Sequence, residues 1–262
     1  MLSKLATTAA AALVVGLLAS AGAATAAEDG HHATDANRPD VAWHHEGLFG
    51  TFDRASLQRG FQVYQNVCQG CHGLKYLAFR NLEALGYGEE EVKAIAAQYT
   101  VMDGPNDSGE MFERPARPSD RKPGPYANEQ EARAANGGAL PPDLSLIIKA
   151  REGGEDHTYA VLTGYQDPPE GVEPREGLYY NPAFQGGWIA MPPPLQPDQV
   201  AYGDNTPATV DQMSQDVTQF LTWIAEPNLE QRKQTGVKAV LFLIILTALL
   251  FAYKRQVWRE VH

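Results

Sequence analysis

The sequence has little cysteine: two residues in 262, Cys68 and Cys71. That scarcity excludes a disulfide-stapled scaffold, and a bridge across a two-residue gap closes too small a loop to stabilise a fold. Basic residues are also in short supply. Between Ala27 and Lys233 stand 16 lysines and arginines against 31 aspartates and glutamates, a net charge of −15. Such a field repels nucleic acid and anionic lipid, and it attracts a basic soluble partner. The same surplus also serves plain solubility. No long run of like charge marks a tail, and no segment is repeated. Uninterrupted apolar runs are missing from the interior of the chain and gather at its two ends.

The first end has the layout of an export signal over residues 1–26. Lys4 gives a positive start, Leu5 to Gly22 is apolar or small, and Ala24-Thr25-Ala26 fits a small-x-small cleavage site. The competing reading is an uncleaved N-terminal membrane helix. At the other end, residues 236–253 form an 18-residue segment whose only charge is Lys238 near its start. At ~1.5 Å per residue it approaches the ~30 Å hydrocarbon core of a bilayer. Lys254, Arg255, Trp258 and Arg259 follow as a basic, aromatic exit over residues 254–262. The pattern predicts a single-pass anchor. With an export signal, residues 27–233 lie outside and the tail lies in the cytoplasm.

Between these ends the pattern is mainly α. Leu57, Phe61, Tyr64 and Cys68 recur at helical spacing from about Ser56 onward. Gly60 interrupts that helix at a cost of about 1 kcal/mol relative to alanine, so another element is expected to cross it closely. A second amphipathic helix is predicted over 210–225, with Thr209 and Gln212 as a capping box and Pro227 as its stop. Shorter helices are predicted at Glu89 to Tyr99 and Leu144 to Ala150. Residues 103–142 and 164–208 are rich in Pro, Gly, Asp and Asn and read as long irregular loops with little strand.

Chemistry is concentrated in Cys68-Gln69-Gly70-Cys71-His72, a C-x-x-C-H run. This is the attachment pattern of haem c. At the end of a helix the spacing aims both thiols at the two vinyl groups on one porphyrin edge. The following imidazole then projects over the ring to the iron. A redox dithiol would need a βαβ setting, and a structural zinc site would need two more ligands at suitable spacing. Neither is present, and one motif implies one covalently bound haem c. His72 is the proximal ligand, and its other ring nitrogen requires a carbonyl partner.

The sixth position decides between uses. A methionine or histidine there gives an electron carrier, whereas an open site gives a haem enzyme or sensor. Met102, Met111, Met191, Met213 and His157 are the candidates. Met213 falls on the apolar stripe of a helix and reads as core, and Met102 and Met111 stand among charges. Met191 leads, because Trp188-Ile-Ala-Met-Pro-Pro-Pro-Leu195 excludes water and stiffens the loop.

The run Arg59 to His72 resembles the cytochrome c1 family, the haem subunits of the cytochrome bc1 complex. Asp103-Gly-Pro-Asn106, Asn136 to Ser145, Ala150 to Asp156, Leu162-Thr-Gly-Tyr165, Arg175 to Tyr179, Thr206 to Thr209 and Trp223 to Pro227 are similar in the same order. The resemblance runs from about residue 40 to the C-terminus. It implies an all-α cytochrome c-like haem domain with long loop insertions and one C-terminal transmembrane helix. It implies Met191 as axial ligand and Arg151 beside a haem propionate. It also implies Pro142 as the carbonyl that receives the His72 proton. Gly60 becomes the crossing point of the two terminal helices, where Phe61 and Tyr64 meet Phe220 and Trp223. Some bacterial members carry an extra disulfide; this chain has no cysteines for one, so its ligand loop must be held by packing and proline. The implied partners are cytochrome b, a Rieske iron–sulfur donor and a soluble or tethered cytochrome c acceptor, in a dimeric complex. The alanine-rich presequence looks bacterial, while the rest resembles mitochondrial members; the expected setting is a bacterial inner membrane with the haem domain in the periplasm. Glu89-Glu-Glu91 and Asp167 to Glu176 are the two acidic stretches that could face the acceptor. A cytochrome c subunit of another respiratory complex, such as a terminal oxidase, would share the motif and the anchor.

Overall fold

The computed structural model describes residues 41–259; the expected export signal lies outside them. The first helix, α1, spans Arg54–Val63 and starts on Asp53, whose carboxylate accepts from the Ala55 amide at 2.9 Å. It runs directly into a π-helical turn, Tyr64–Cys68, closed by Gln69 N–H donating to the Tyr64 carbonyl at 2.9 Å. Widened turns of this kind concentrate at functional sites. Here the last residue of the turn is Cys68.

The partner of α1 is α5, Val210–Ala225, which begins on the predicted cap: Thr209 accepts from the Gln212 amide at 3.1 Å. The two helices meet at Gly60. A Cβ there would lie 2.1 Å from the Asp216 carbonyl oxygen and 2.7 Å from the Phe220 Cβ, so only glycine admits this approach. Phe61 and Tyr64 sit 5.5 and 6.1 Å from the Phe220 ring, and Trp223 stacks behind it at 6.1 Å. Such aromatic contacts add about 0.5–1.5 kcal/mol each beyond area burial.

Beside that contact lies a buried ionic cluster that the amphipathic pattern does not reveal. Asp216 is fully buried, held by Arg59 Nε and Nη2 at 2.9 and 3.0 Å and by Ser56 Oγ at 2.6 Å. A buried carboxylate persists only when charge and lone pairs are both satisfied, and the two-pronged guanidinium does this.

The helices between α1 and α5 in the chain are short. They are α2 (Glu89–Ala96), α3 (Glu129–Ala135) and α4 (Gly154–Thr163), with 3₁₀ turns at Phe79–Leu85 and Leu144–Leu146. The helix expected over 144–150 is thus only one tight turn, begun by the Asp143 side chain accepting from the Ser145 amide at 3.0 Å. Helix α2 ends at Ala96, short of Tyr99, where the chain turns into a ribbon. The loop-rich segments do hold little strand. Strands β1 (Thr100–Asp103) and β2 (Phe112–Pro115) pair antiparallel, as do β3 (Tyr179–Tyr180) and β4 (Trp188–Ile189).

The last helix, α6, is Leu229–Arg259, 31 residues long. It starts seven residues before the predicted anchor, and its apolar side chains from Val240 to Phe251 are exposed. Its length and composition suffice to cross a membrane.

Candidate haem-binding site

Cys68, Cys71 and His72 stand on one turn at the end of the first helix. The Cys71 and His72 amides donate back to the Cys68 carbonyl at 3.1 and 2.9 Å. This fixes the three side chains relative to one another. Tyr64, one turn earlier, donates its hydroxyl to the His72 carbonyl at 2.8 Å. The loop is therefore tied to the helix crossing through a single buried side chain.

His72 Nδ1 lies 2.7 Å from the Pro142 carbonyl oxygen. A carbonyl can only accept, so Nδ1 carries the proton and Nε2 keeps its lone pair. Burial lowers the His72 pKa, against the opposing pull of the Pro142 carbonyl and Asp143, and favours the neutral, ligating ring. Proline suits the accepting position because its fixed φ presents the carbonyl from a stiff segment. That segment is anchored on both sides. Leu144 N–H donates to the Gly73 carbonyl at 2.9 Å, and Asp143 accepts from the Lys75 amide at 2.9 Å.

No disulfide joins Cys68 to Cys71. Burial pushes Cys68 up to about 12, with Cys71 adding to the shift. A dithiol poised for disulfide exchange needs a depressed pKa, and Cys68 is shifted the other way. Among the described residues no group of three or more His, Cys, Asp or Glu could hold a bare metal ion. The donor set fits haem instead: porphyrin brings four nitrogens of its own, and the chain needs only thiols for the vinyl edge and axial donors.

Met191 is half-buried at the head of Pro192–Pro194 and belongs to a different part of the chain. Tyr165, just beyond α4, donates its hydroxyl to the Met191 carbonyl at 3.0 Å. Asn181 is fully buried and donates to the Val161 carbonyl at 2.7 Å, joining α4 to the β3–β4 ribbon. These contacts hold the methionine loop without a disulfide. The sequence pattern does not mark Tyr64, Tyr165 and Asn181 as site residues. Tyr64 read as core from its helical spacing, and the other two lie in loops whose contacts have no sequence period. Arg151 is exposed, and its guanidinium donates to the Ala150 carbonyl at 3.0 Å. Among the described residues no hydrogen bond or ion pair joins Met191 or Arg151 to His72.

Lys122 is a further surprise. It is 4% exposed, and its ammonium sits 5.1 Å from the Tyr64 ring centre and 4.8 Å from that of Tyr99. Burial pushes it down to about 8. The unfolded chain holds this proton up to the ordinary lysine range, so it binds more protons than the folded chain between roughly pH 8 and 10.5. Stability should therefore rise across that window by up to ~3 kcal/mol. Lys122→Met should remove the rise, as read by denaturant unfolding in detergent at pH 7 to 10. Parallel pH profiles for the two proteins would contradict the burial of a titrating lysine.

Helix crossing, C-x-x-C-H turn, proline-bound histidine and apolar terminal helix together define a membrane-anchored c-type cytochrome. Comparison with known proteins narrows this. A model of the Cytochrome C1 family matches residues 43–261. The chain is 52% identical over 243 residues to an Arabidopsis thaliana protein, "Cytochrome c1 2, heme protein, mitochondrial", covering 93% of this chain and 78% of that one. It is 47% identical over 261 residues to cytochrome c1 of Rhodospirillum rubrum, covering 94% of each. It is 50% identical over 242 residues to the Candida albicans "Cytochrome b-c1 complex catalytic subunit, mitochondrial", covering 92% and 82%. The chain belongs to the cytochrome c1 family, and its cofactor is covalently bound haem c.

Proposed function

We propose that this chain is the electron relay between a Rieske iron–sulfur protein and a cytochrome c, within a quinol–cytochrome c reductase. The observation that carries the reading is the His72–Pro142 hydrogen bond beside the two cysteines, at 2.7 Å, inside a family match from residue 43 to 261. In this reading Cys68 and Cys71 would form the thioethers, and His72 Nε2 and the Met191 sulfur would hold the iron. When bound, the haem supplies one-electron redox chemistry. The protein's part is to hold both donors rigid and to keep water off the iron. Pro142 and Tyr64 fix the histidine side, and Tyr165 fixes the methionine side. Arg151 has guanidinium donors to spare for a propionate. No side chain is required as an acid or base.

The complex named for the Candida albicans relative supports cytochrome b as a neighbour, and the family resemblance implies a dimeric complex. The remaining arrangement follows from the sequence: 1–26 removed on export, 27–233 in the periplasm of a bacterium, 236–253 in the inner membrane and 254–262 in the cytoplasm. A tagged chain solubilised gently should bring down cytochrome b and a Rieske protein. Recovery with oxidase subunits instead would sink this placement.

Of the two acidic stretches, we assign 167–176 to the acceptor. Glu89 and Glu90 are already paired with Lys93 at 2.9 Å each, whereas Asp167 to Glu176 leaves directly from Tyr165, which touches Met191. Association with a basic cytochrome c should slow on the order of tenfold as ionic strength rises from 0.01 to 0.15 M, because the screening length shrinks from about 30 to 8 Å. Stopped-flow rates that stay flat with salt would rule out electrostatic steering.

A further inference from the structure

The most exposed large apolar side chain among the described residues is Phe49, at 80%, and its neighbour Leu48 is 61% exposed. They form the tip of a turn that closes with Thr51 N–H donating to the His44 carbonyl at 3.1 Å, with Gly47 at φ +68° supplying the reversal. Nothing within the turn explains two bare apolar side chains. Its position does. Lys233, in the first turns of α6, donates its ammonium to the His45 carbonyl and to the Gly50 carbonyl at 3.3 Å. Glu230, three residues earlier, accepts from the Phe52 amide and from Arg54, both at 2.7 Å. His45 stacks on Phe52 at 4.8 Å and stiffens the base of the turn. The turn is thus clamped from both flanks to residues 230–233 of the membrane helix.

The apolar segment of that helix begins at Gly236. Three residues at ~1.5 Å rise separate it from Lys233, so the clamp sits within about 5 Å of the hydrocarbon boundary. At that depth Arg232, Lys233 and Lys238 supply the cationic ring typical of an interface, and a leucine and a phenylalanine beside them belong in the headgroup–acyl boundary. Water would leave both side chains solvated at a cost that partial insertion removes.

We propose that the Leu48–Phe49 tip is a second membrane contact, which inserts into the interface of the leaflet that α6 crosses. A single helix would let the haem domain swivel and tilt about its tether. A second contact point fixes its attitude, and with it the height of the haem edge above the bilayer. The proposal rests on α6 spanning the membrane, and its test keeps the two apart.

The test uses full-length holoprotein in nanodiscs of zwitterionic lipid, one chain per disc. The native cysteines are consumed by haem, so Phe49→Cys carries a single spin label, with Leu48→Cys as a second site. Leu243→Cys reports on α6 in the bilayer, and Asp107→Cys on bulk water. The readout is collision with oxygen against a water-soluble nickel chelate. The expected result is severalfold lower nickel accessibility at residues 48 and 49 than at 107, with residue 243 fully protected. Labels at 48 and 49 as accessible as that at 107, with 243 protected, would overturn the proposal and leave the anchor intact. Loss of protection at 243 as well would overturn both. Protection at 49 that appears only in the assembled complex would give the tip to a protein neighbour and also overturn the lipid contact.

Discussion

Met191→Leu should lower the reduction potential by a few tenths of a volt, out of the roughly 0.8 V that axial ligation commands. A thioether is soft and stabilises ferrous iron; leucine offers no donor, so the sixth position passes to water or stays open. The ferric spectrum should change from low to high spin, and the reduced protein should begin to bind carbon monoxide. Redox titration and absorption spectra check this together. An unchanged potential and spin state would hand the ligand role to another residue, and the structure leaves few. Met213 is fully buried on α5, while Met102 and Met111 are 59% and 57% exposed. His157 is half-buried in α4.

Gly60→Leu should prevent assembly of the haem domain. Even the first atom of the new side chain would lie 2.1 Å from the Asp216 carbonyl oxygen, which is backbone and cannot turn aside. Separating α1 from α5 would strain the Phe61, Tyr64 and Phe220 contacts and the hydrogen bonds of Arg59 and Ser56 to Asp216. Leaving a buried carboxylate poorly paired costs about 3–5 kcal/mol by itself, against a typical domain stability of roughly 5–15 kcal/mol. Covalent haem staining and thermal melts would register the loss. Gly60→Ala, which needs a smaller shift, should be the milder of the two. A Gly60→Leu protein that binds haem and melts within a few degrees of wild type would contradict the close crossing.

Much of this is legible in the sequence. C-x-x-C-H carries its own geometry, Gly60 could be there only for a close approach, and an 18-residue apolar run has few other uses. Thr209 behaves as its spacing to Gln212 suggests. What stayed hidden depends on partners far away in the chain. Asp216 reads as one more polar residue of an amphipathic helix, and Arg59 and Ser56, 157 and 160 positions earlier, make its burial tolerable. Lys122 reads as a surface charge, and only two ring faces from distant segments enclose it. Helix α4 begins at Gly153 and Gly154, both at positive φ, which in sequence argue for a turn. Pro142 had no local signal beyond its neighbours; the family resemblance named it, and the structure supplies the 2.7 Å contact with His72.

In the proposed relay this chain would fill both axial positions of the iron and leave none for an outside ligand. Exposure of the reduced, native, full-length protein to carbon monoxide tests that claim most directly. A spectrum that does not change on adding the gas, with a low-spin ferric form before reduction, is the expected result. A prompt carbon monoxide adduct on a high-spin haem would contradict it.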